Sequence, residues 1–126
     1  MGKRIKLEKI LNVIKKGTHA RRKLCNVNGE MCALGELLHA AGIEKHCLMG
    51  RGGPEQEELT VLKTEYGIEV YEAQKVMMVN DYWGTLDNRR RALEGYFAAI
   101  ERGRNPGIAA QEFTVGSCES ATSQPK

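Results

Sequence analysis

Residues 31–42, MCALGELLHAAG, are the stretch that decides the fold. The leucines recur at helical spacing, so a helix over about residues 31–41 has one apolar face. That face consists of Leu34, Leu37, Leu38 and Ala41. Small residues occupy its other sides, where neighbouring elements can approach closely: Ala33, Gly35 and Ala40. Gly42 suits the end of the helix, and the pattern predicts that this helix is central.

Four further helices are predicted on either side of the central one. Apolar residues at positions i, i+3, i+4 and i+7 indicate a first helix over about residues 4–16. Pro54 suits the first turn of another helix, and Gly67 suits its end. Two more helices follow over about residues 70–80 and 87–102. The sequence therefore predicts an all-α fold, a compact bundle of about five helices.

The composition changes after the last predicted helix. Residues 103–126 are rich in Gly, Ser, Thr and Pro, which predicts a loosely structured C-terminal tail. Within it, only residues 112–115, EFTV, have strand character. The chain is therefore expected to divide into a helical domain, residues 1–102, and this tail.

The overall composition is that of an ordinary globular chain. Of 126 residues, 41% are hydrophobic and 28% are charged, which is typical of one folded domain. No apolar run approaches the roughly 18 residues of a membrane span, and the charged N-terminus lacks the apolar stretch of a secretory signal. We therefore expect a cytoplasmic protein with no membrane association, whose four cysteines are reduced.

Charge is distributed unevenly along the chain. Residues 1–24 carry nine Lys or Arg against one acid, whereas the remainder carries ten against fifteen. A basic head on an acidic body favours attraction to an anionic partner; the alternative is a solvated helix face. The residues predicted to contact a polyanion are Lys6, Lys9, Arg21, Arg22 and Lys23.

Two cysteines and then two histidines follow one another at a seven-residue spacing, at Cys25, Cys32, His39 and His46. Two residues seven apart on a helix are separated by roughly 10 Å, whereas the ligands of one zinc lie about 2.0–2.3 Å from it. Cys32 and His39 therefore cannot share a metal, and we expect no metal and no cofactor. A loop-built site from Cys25, Cys32, His46 and Cys47 stays as an alternative. A buried, unreactive Cys32 is favoured over a thiol whose pKa is lowered by the helix N-terminus.

Residues 80–91, NDYWGTLDNRRR, form the predicted binding surface. The only Trp of the chain stands beside a Tyr on a turn, and three arginines follow in the first turns of a helix. Aromatic rings stack on bases and guanidinium groups pair with phosphates. The predicted ligand-binding residues are Asn80, Tyr82, Trp83, Arg89 and Arg90. The alternative is that Trp83 fills the core, that the arginines are solvated, and that Asp81 or Thr85 caps the last helix.

The order of three short motifs resembles a family of small uncharacterised helical proteins of bacteria and their phages. The motifs are Cys32-Ala-Leu-Gly-Glu-Leu, then Leu62…Tyr66-Gly-Ile, then Val79-Asn80-Asp81. The family shares a Cys-x-Leu-Gly helix and an Asn-Asp pair before the last helix, and the likeness spans about residues 25–101. Tyr82-Trp83-Gly84 stands where an Arg or Gly is common in the family. The resemblance implies a helical fold and a phage or bacterial setting, and it implies no particular chemistry.

The predicted function is that of a non-enzymatic binding module. It would be a phage accessory protein, for host takeover or anti-defence, that captures a nucleotide-like anion or a host protein. No paired acids, His–carboxylate set or phosphate loop indicates an enzyme, so no catalytic residue is assigned. The expected setting is the cytoplasm of a phage-infected host, and a homo-oligomer is a further candidate assembly.

The alternative function is nucleic-acid binding. The fourth and fifth predicted helices would then form a helix-turn-helix, with the basic N-terminus on the phosphates. The link from Asn80 to Thr85 is longer than the usual turn of such a motif, and a net charge of +3 is small for the class.

The basic head predicts weak binding to polyanions of any sequence. Binding to phosphates releases counterions, so the affinity falls steeply as salt is raised. Fluorescence anisotropy with a labelled DNA duplex should therefore detect binding at low salt and little at about 150 mM salt. Tight, sequence-specific binding at the higher salt would favour the nucleic-acid-binding alternative.

Overall fold

The computed structural model describes residues 5–116. Seven α-helices and a π-helical segment account for most of this part of the chain, in the order α1 (Leu7–Lys15), α2 (Ala33–Ala40), α3 (Lys45–Leu48), α4 (Gln56–Tyr66), α5 (Val70–Tyr82), α6 (Leu86–Glu101), α7 (Pro106–Gln111) and the π-helix Glu112–Gly116. Within residues 5–116 the only β-type pairings are isolated bridges from Cys25 to Met31 and Met49. The prediction of a compact, mostly helical fold is confirmed.

Three elements differ from the sequence-based expectation. Helix α3 has four residues, which is too short to show a helical period. Helix α7 and the π-helix occupy residues that composition assigns to the loose tail, and both pack against α5 and α6. The Asn105 side chain caps α7 by accepting from the backbone N–H groups of Gly107 and Ile108. The prediction of strand character for residues 112–115 was wrong, because these residues lie in the π-helix. The remainder of the predicted tail lies outside the described residues.

Helix α2 lies at the centre of the core. Its first six residues, 33–38, are all buried, and it packs against α1, α4 and α5. Gly35 lies against the preceding loop so closely that an added Cβ would overlap the carbonyl oxygen of Leu24. The Leu24 carbonyl also accepts from the backbone N–H of Cys32 at 3.2 Å. The loop before α2 is therefore packed directly on the helix backbone, and a side chain at position 35 would displace it.

The C-terminal elements close the other side of the bundle. An added Cβ on Gly95 of α6 would overlap the ring of Phe113 in the π-helix. The indole N–H of Trp83, at the end of α5, donates to the carbonyl oxygen of Phe113 at 2.8 Å. These two contacts attach the π-helix to α5 and α6, so residues 106–116 belong to the packed body.

Within residues 5–116, no helix combines the length and the apolar character that a membrane crossing requires. The longest helix of this part of the chain, α6, carries seven buried residues.

The close packing at Gly35 predicts that a single added methyl group at this position lowers the stability of the protein. Gly35→Ala should destabilise the protein by about 3 kcal/mol, because the Leu24 backbone must move to admit the Cβ. The matched control is Gly84→Ala, where an added Cβ meets no atom within 4 Å and the expected change is within about 0.5 kcal/mol. Urea unfolding followed by circular dichroism measures both. Equal stability of the two variants would contradict this packing.

Candidate functional site

Asn80 and Arg89, two of the predicted ligand-binding residues, lie in the interior. Both side chains are fully buried. The Asn80 amide oxygen accepts from Arg89 Nη1 at 2.8 Å and from the Ala33 backbone N–H at 3.0 Å. The Asn80 amide nitrogen donates to the Ala20 carbonyl oxygen at 2.9 Å. Asn80 therefore connects α5, α6, the N-terminus of α2 and the loop before it, and its polar atoms are occupied by protein.

The arginines of α6 hold the loop that follows α1. Arg89 Nη2 donates to the Thr18 carbonyl oxygen at 2.6 Å, and Arg90 Nη2 donates to the Gly17 carbonyl oxygen at 3.0 Å. The Glu36 carboxylate accepts from both the backbone N–H and the hydroxyl of Thr18. Burial lowers the pKa of Arg89, and the nearby charge of Glu36 opposes that shift. The alternative interpretation, in which the arginines are solvated, is wrong for Arg89, which is fully buried.

The aromatic pair at the end of α5 is divided between core and surface. Trp83 is 7% exposed and its indole N–H is bonded to the π-helix. Tyr82 is 39% exposed and meets Trp83 edge-to-face, with ring centroids 4.9 Å apart. Trp83 therefore has the contacts of a core residue, which was the alternative interpretation of its sequence. Of the five predicted ligand-binding residues, Tyr82 is the one in the exposed class.

The predicted polyanion-contacting residues have unequal surroundings. Lys9 forms an ion pair with Glu65 at 3.0 Å and lies over the ring of Tyr66. Arg21 Nε donates to the Asp81 carbonyl oxygen at 2.9 Å. All five members of the set are exposed, including the remaining three: Lys6, Arg22 and Lys23.

Among residues 5–116, two of the three cysteines are buried and one is exposed. Cys25 and Cys32 are fully buried, whereas Cys47 is exposed. The Cys32 sulfur caps α2 by accepting from the Gly35 backbone N–H at 3.4 Å. Burial raises the pKa of the Cys32 thiol to about 11, so desolvation outweighs the effect of the helix N-terminus. Within residues 5–116, no group of three His, Cys, Asp or Glu residues is arranged to hold a metal ion.

A groove of about 470 Å³ opens between α4, α5 and the loop before α4. Its apolar part comes from the two helices: Leu59, Val70, Ala73 and Met77. Its polar lining consists of Arg22, Gln74 and Asp81, and the loop contributes Gly52, Gly53 and Pro54. An apolar cleft with a few polar groups at its edge is the usual form of a small-molecule site.

Arg22 stands at the rim of this groove in a strained conformation. Its φ of +66° makes it the one non-glycine residue with a positive φ among residues 5–116. Residues that carry a side chain rarely adopt this backbone conformation. Asp81 holds it there, because Asp81 Oδ1 accepts from the Arg22 backbone N–H at 2.9 Å. The Asn80 amide donates to the same oxygen at 2.9 Å. The buried side chain of Asn80 is therefore linked through Asp81 to the backbone of Arg22 at the rim of the groove.

The glycine loop before α4 lies beside Arg22, whose carbonyl oxygen would be 3.8 Å from an added Cβ on Gly52, and it is held by an ion pair. Both terminal nitrogens of Arg51 donate to the Glu58 carboxylate, and Nη2 also donates to the Gly53 carbonyl oxygen at 3.3 Å. The hydrogen bonds raise the pKa of Arg51 and lower the pKa of Glu58. An added Cβ on Gly53 would meet nothing within 4 Å, so a ligand can approach the loop backbone closely.

Sequence reasoning did not identify this groove. Its lining comes from the loop after α1, the loop before α4, and two helices, and no local motif joins those segments. Asp81 was interpreted, as an alternative to Thr85, as the cap of the last helix, a role that Thr85 has in the structure; its neighbour Asn80 was selected as a site residue. The Arg51-Gly52-Gly53 loop was the available signal, because glycine permits the close approach of a ligand to backbone.

No protein-family model, curated protein or solved structure matches this chain. The resemblance to the bacterial and phage proteins therefore stays a prediction.

The burial of Trp83 and Arg89 predicts that both stabilise the fold. Trp83→Ala should cost about 3–5 kcal/mol of stability through the lost packing, and Arg89→Ala a similar amount through the loss of a buried, hydrogen-bonded charge. Arg91→Ala is the matched control, since Arg91 is on the same helix and exposed; it should change stability by less than about 0.5 kcal/mol. Thermal and urea unfolding measure all three. Wild-type stability of Arg89→Ala would contradict the buried network.

Proposed function

We propose that this chain is a non-enzymatic binding module, a phage accessory protein for host takeover or anti-defence, which captures a nucleotide-like anion in the α4–α5 groove. The single observation that carries the proposal is the strained, exposed Arg22 at the rim of that groove. The host cytoplasm is the proposed setting.

The conformation of Arg22 supports a binding role. A non-glycine residue at positive φ costs of order 1–3 kcal/mol, and such residues occur at ligand clamps where the surrounding structure enforces them. The Arg22 guanidinium has no hydrogen-bond partner within residues 5–116, although the backbone of the same residue is held by Asp81. A guanidinium can pair bidentately with a phosphate or carboxylate. The strain and the unoccupied donors therefore favour an anionic ligand.

The rest of the groove suits the apolar portion of such a ligand. Leu59, Ala73 and Met77 form an apolar surface on which a flat ring can lie. Gly52 and Gly53 have no side chains between their backbone and the groove, so an anion can approach their N–H groups. The carboxylate of Asp81 would repel an anion, but its Oδ1 accepts two hydrogen bonds from protein donors. These features favour a flat apolar group joined to a phosphate.

Asn80 and Arg89 support this site indirectly in the proposed function. Their side chains are buried and bonded to protein, so they would position Asp81 and the basic loop rather than contact the ligand. The binding residues of the proposal are accordingly Arg22 and the groove lining, with Asn80 and Arg89 behind them.

A host protein is a second candidate partner, favoured by the outer face of α5. Three large side chains on that helix are exposed at positions seven and four residues apart: Tyr71, Met78 and Tyr82. Residues so spaced lie on one side of a helix. An exposed apolar stripe of this kind is typical of protein-binding surfaces.

Nucleic-acid reading by α6 has less support. The link between α5 and α6 is short, residues 83–85, which removes the objection from loop length. However, Arg89 and Arg90 both donate to the loop after α1. The first turns of α6 therefore offer a DNA groove only one exposed arginine, Arg91.

Replacing Arg22 by glycine should separate binding from folding. Glycine adopts positive φ without strain, so Arg22→Gly should fold with near-wild-type stability. It should weaken the binding of adenosine monophosphate about 10- to 150-fold in isothermal titration calorimetry, because a hydrogen bond to a charged group is lost. Lys23→Ala is the control, since Lys23 is exposed and does not line the groove. The proposal would be wrong if the nucleotide failed to bind the wild type, or bound all three proteins alike.

A further inference from the structure

Gln74 is the second polar side chain of the groove with unoccupied hydrogen-bonding groups. It is exposed on α5 and lines the groove beside Val70, Ala73 and Met77. Within residues 5–116, its amide forms no hydrogen bond with another group. An amide presents one donor and one acceptor side by side, so Gln74 can recognise a ligand edge that offers the complementary pair.

Gln74 and Arg22 are placed at two ends of the apolar surface. Gln74 and Asp81 are seven residues apart on α5, which is two turns, so both lie on one side of the helix and about 10 Å apart along its axis. Arg22 is at the Asp81 end, because its backbone N–H is bonded to that carboxylate. Met77 lies between the two ends, three residues after Gln74 and four before Asp81. This separation is on the scale of a mononucleotide from its base edge to its phosphate.

We propose that the groove selects an adenine mononucleotide, with Gln74 as the specificity-determining residue; this inference rests on the proposed function. One edge of adenine offers the N6 donor and the N7 acceptor together, and glutamine pairs with both at once. Guanine offers two acceptors, O6 and N7, on the same edge, so one half of the Gln74 amide would face a group it cannot bond. Arg22 binds the phosphate at the other end.

Met77 provides the surface for the base. A thioether makes favourable contacts with aromatic rings, and Met77 lines the groove between Gln74 and Asp81. Its sulfur is fixed from below, since the Cys32 sulfur lies 3.5 Å from it. The larger ring system of a purine would cover more of this surface than a pyrimidine does, and apolar burial favours the larger ring.

Calorimetric titration with adenosine monophosphate and guanosine monophosphate tests the inference on the full chain. The wild type should bind adenosine monophosphate about tenfold or more tightly than guanosine monophosphate. Gln74→Ala should bring that ratio close to one, chiefly by weakening the adenine nucleotide. Gln111→Ala, an exposed glutamine on α7 outside the groove, should retain the wild-type ratio. Circular dichroism confirms that each variant is folded.

The outcomes separate this inference from the function on which it rests. Equal binding of the two nucleotides, unchanged by Gln74→Ala but weakened by Arg22→Gly, would overturn the role of Gln74 and leave anion capture in place. Absence of binding by either nucleotide would overturn both. An adenine preference that persists in Gln74→Ala would assign the selectivity to another part of the groove and also overturn the inference.

Discussion

The buried guanidinium of Arg89 is the interaction on which the rest of the structure depends. It joins α6 to α5 through Asn80 and to the loop after α1 through the Thr18 carbonyl oxygen. Burying a cation is costly unless its charge is offset and its donors are bonded. The carboxylate of Glu36 on α2 supplies an opposite charge nearby, and it binds the same loop through Thr18. Four segments of the chain therefore meet around one charged group, and none of their positions is independent of it.

The Asn80-Asp81 pair connects the buried guanidinium of Arg89 to the surface of the protein. Asn80 faces inward, where it binds Arg89 and caps the first turn of α2 through Ala33. Asp81 lies one residue further along the helix, about 100° around its axis, and there it holds the backbone of Arg22. The hydrogen bond from the Asn80 amide to Asp81 connects the two sides. A substitution in the interior at Asn80 would thus disturb the rim of a groove that its side chain does not line.

The helices could be predicted from sequence wherever an apolar period extended over several turns, as it does in α2 and α6. Helix α3 and residues 106–116 could not, because a four-residue helix has no period and because Gly and Pro obscured the cap at Asn105. The interior position of Arg89 was hidden for another reason. Arg89 is the first of three consecutive arginines, and a run of charged residues normally predicts a solvated surface. Only tertiary packing determines which of the three faces the core. The site was missed because its lining is assembled from distant segments.

The strongest indication of function is a residue that does not favour stability. At the φ of Arg22, glycine would be free of strain, and natural chains are seldom optimised for stability at positions that serve another purpose. The fold instead holds an arginine there through Asp81, and gives that guanidinium no protein partner within residues 5–116. The buried Arg89 explains how the rim of the groove is held in place, and the exposed Arg22 gives the rim its positive charge. The donors of Arg22 are unused within residues 5–116, which is the condition that the proposed capture of an anion requires.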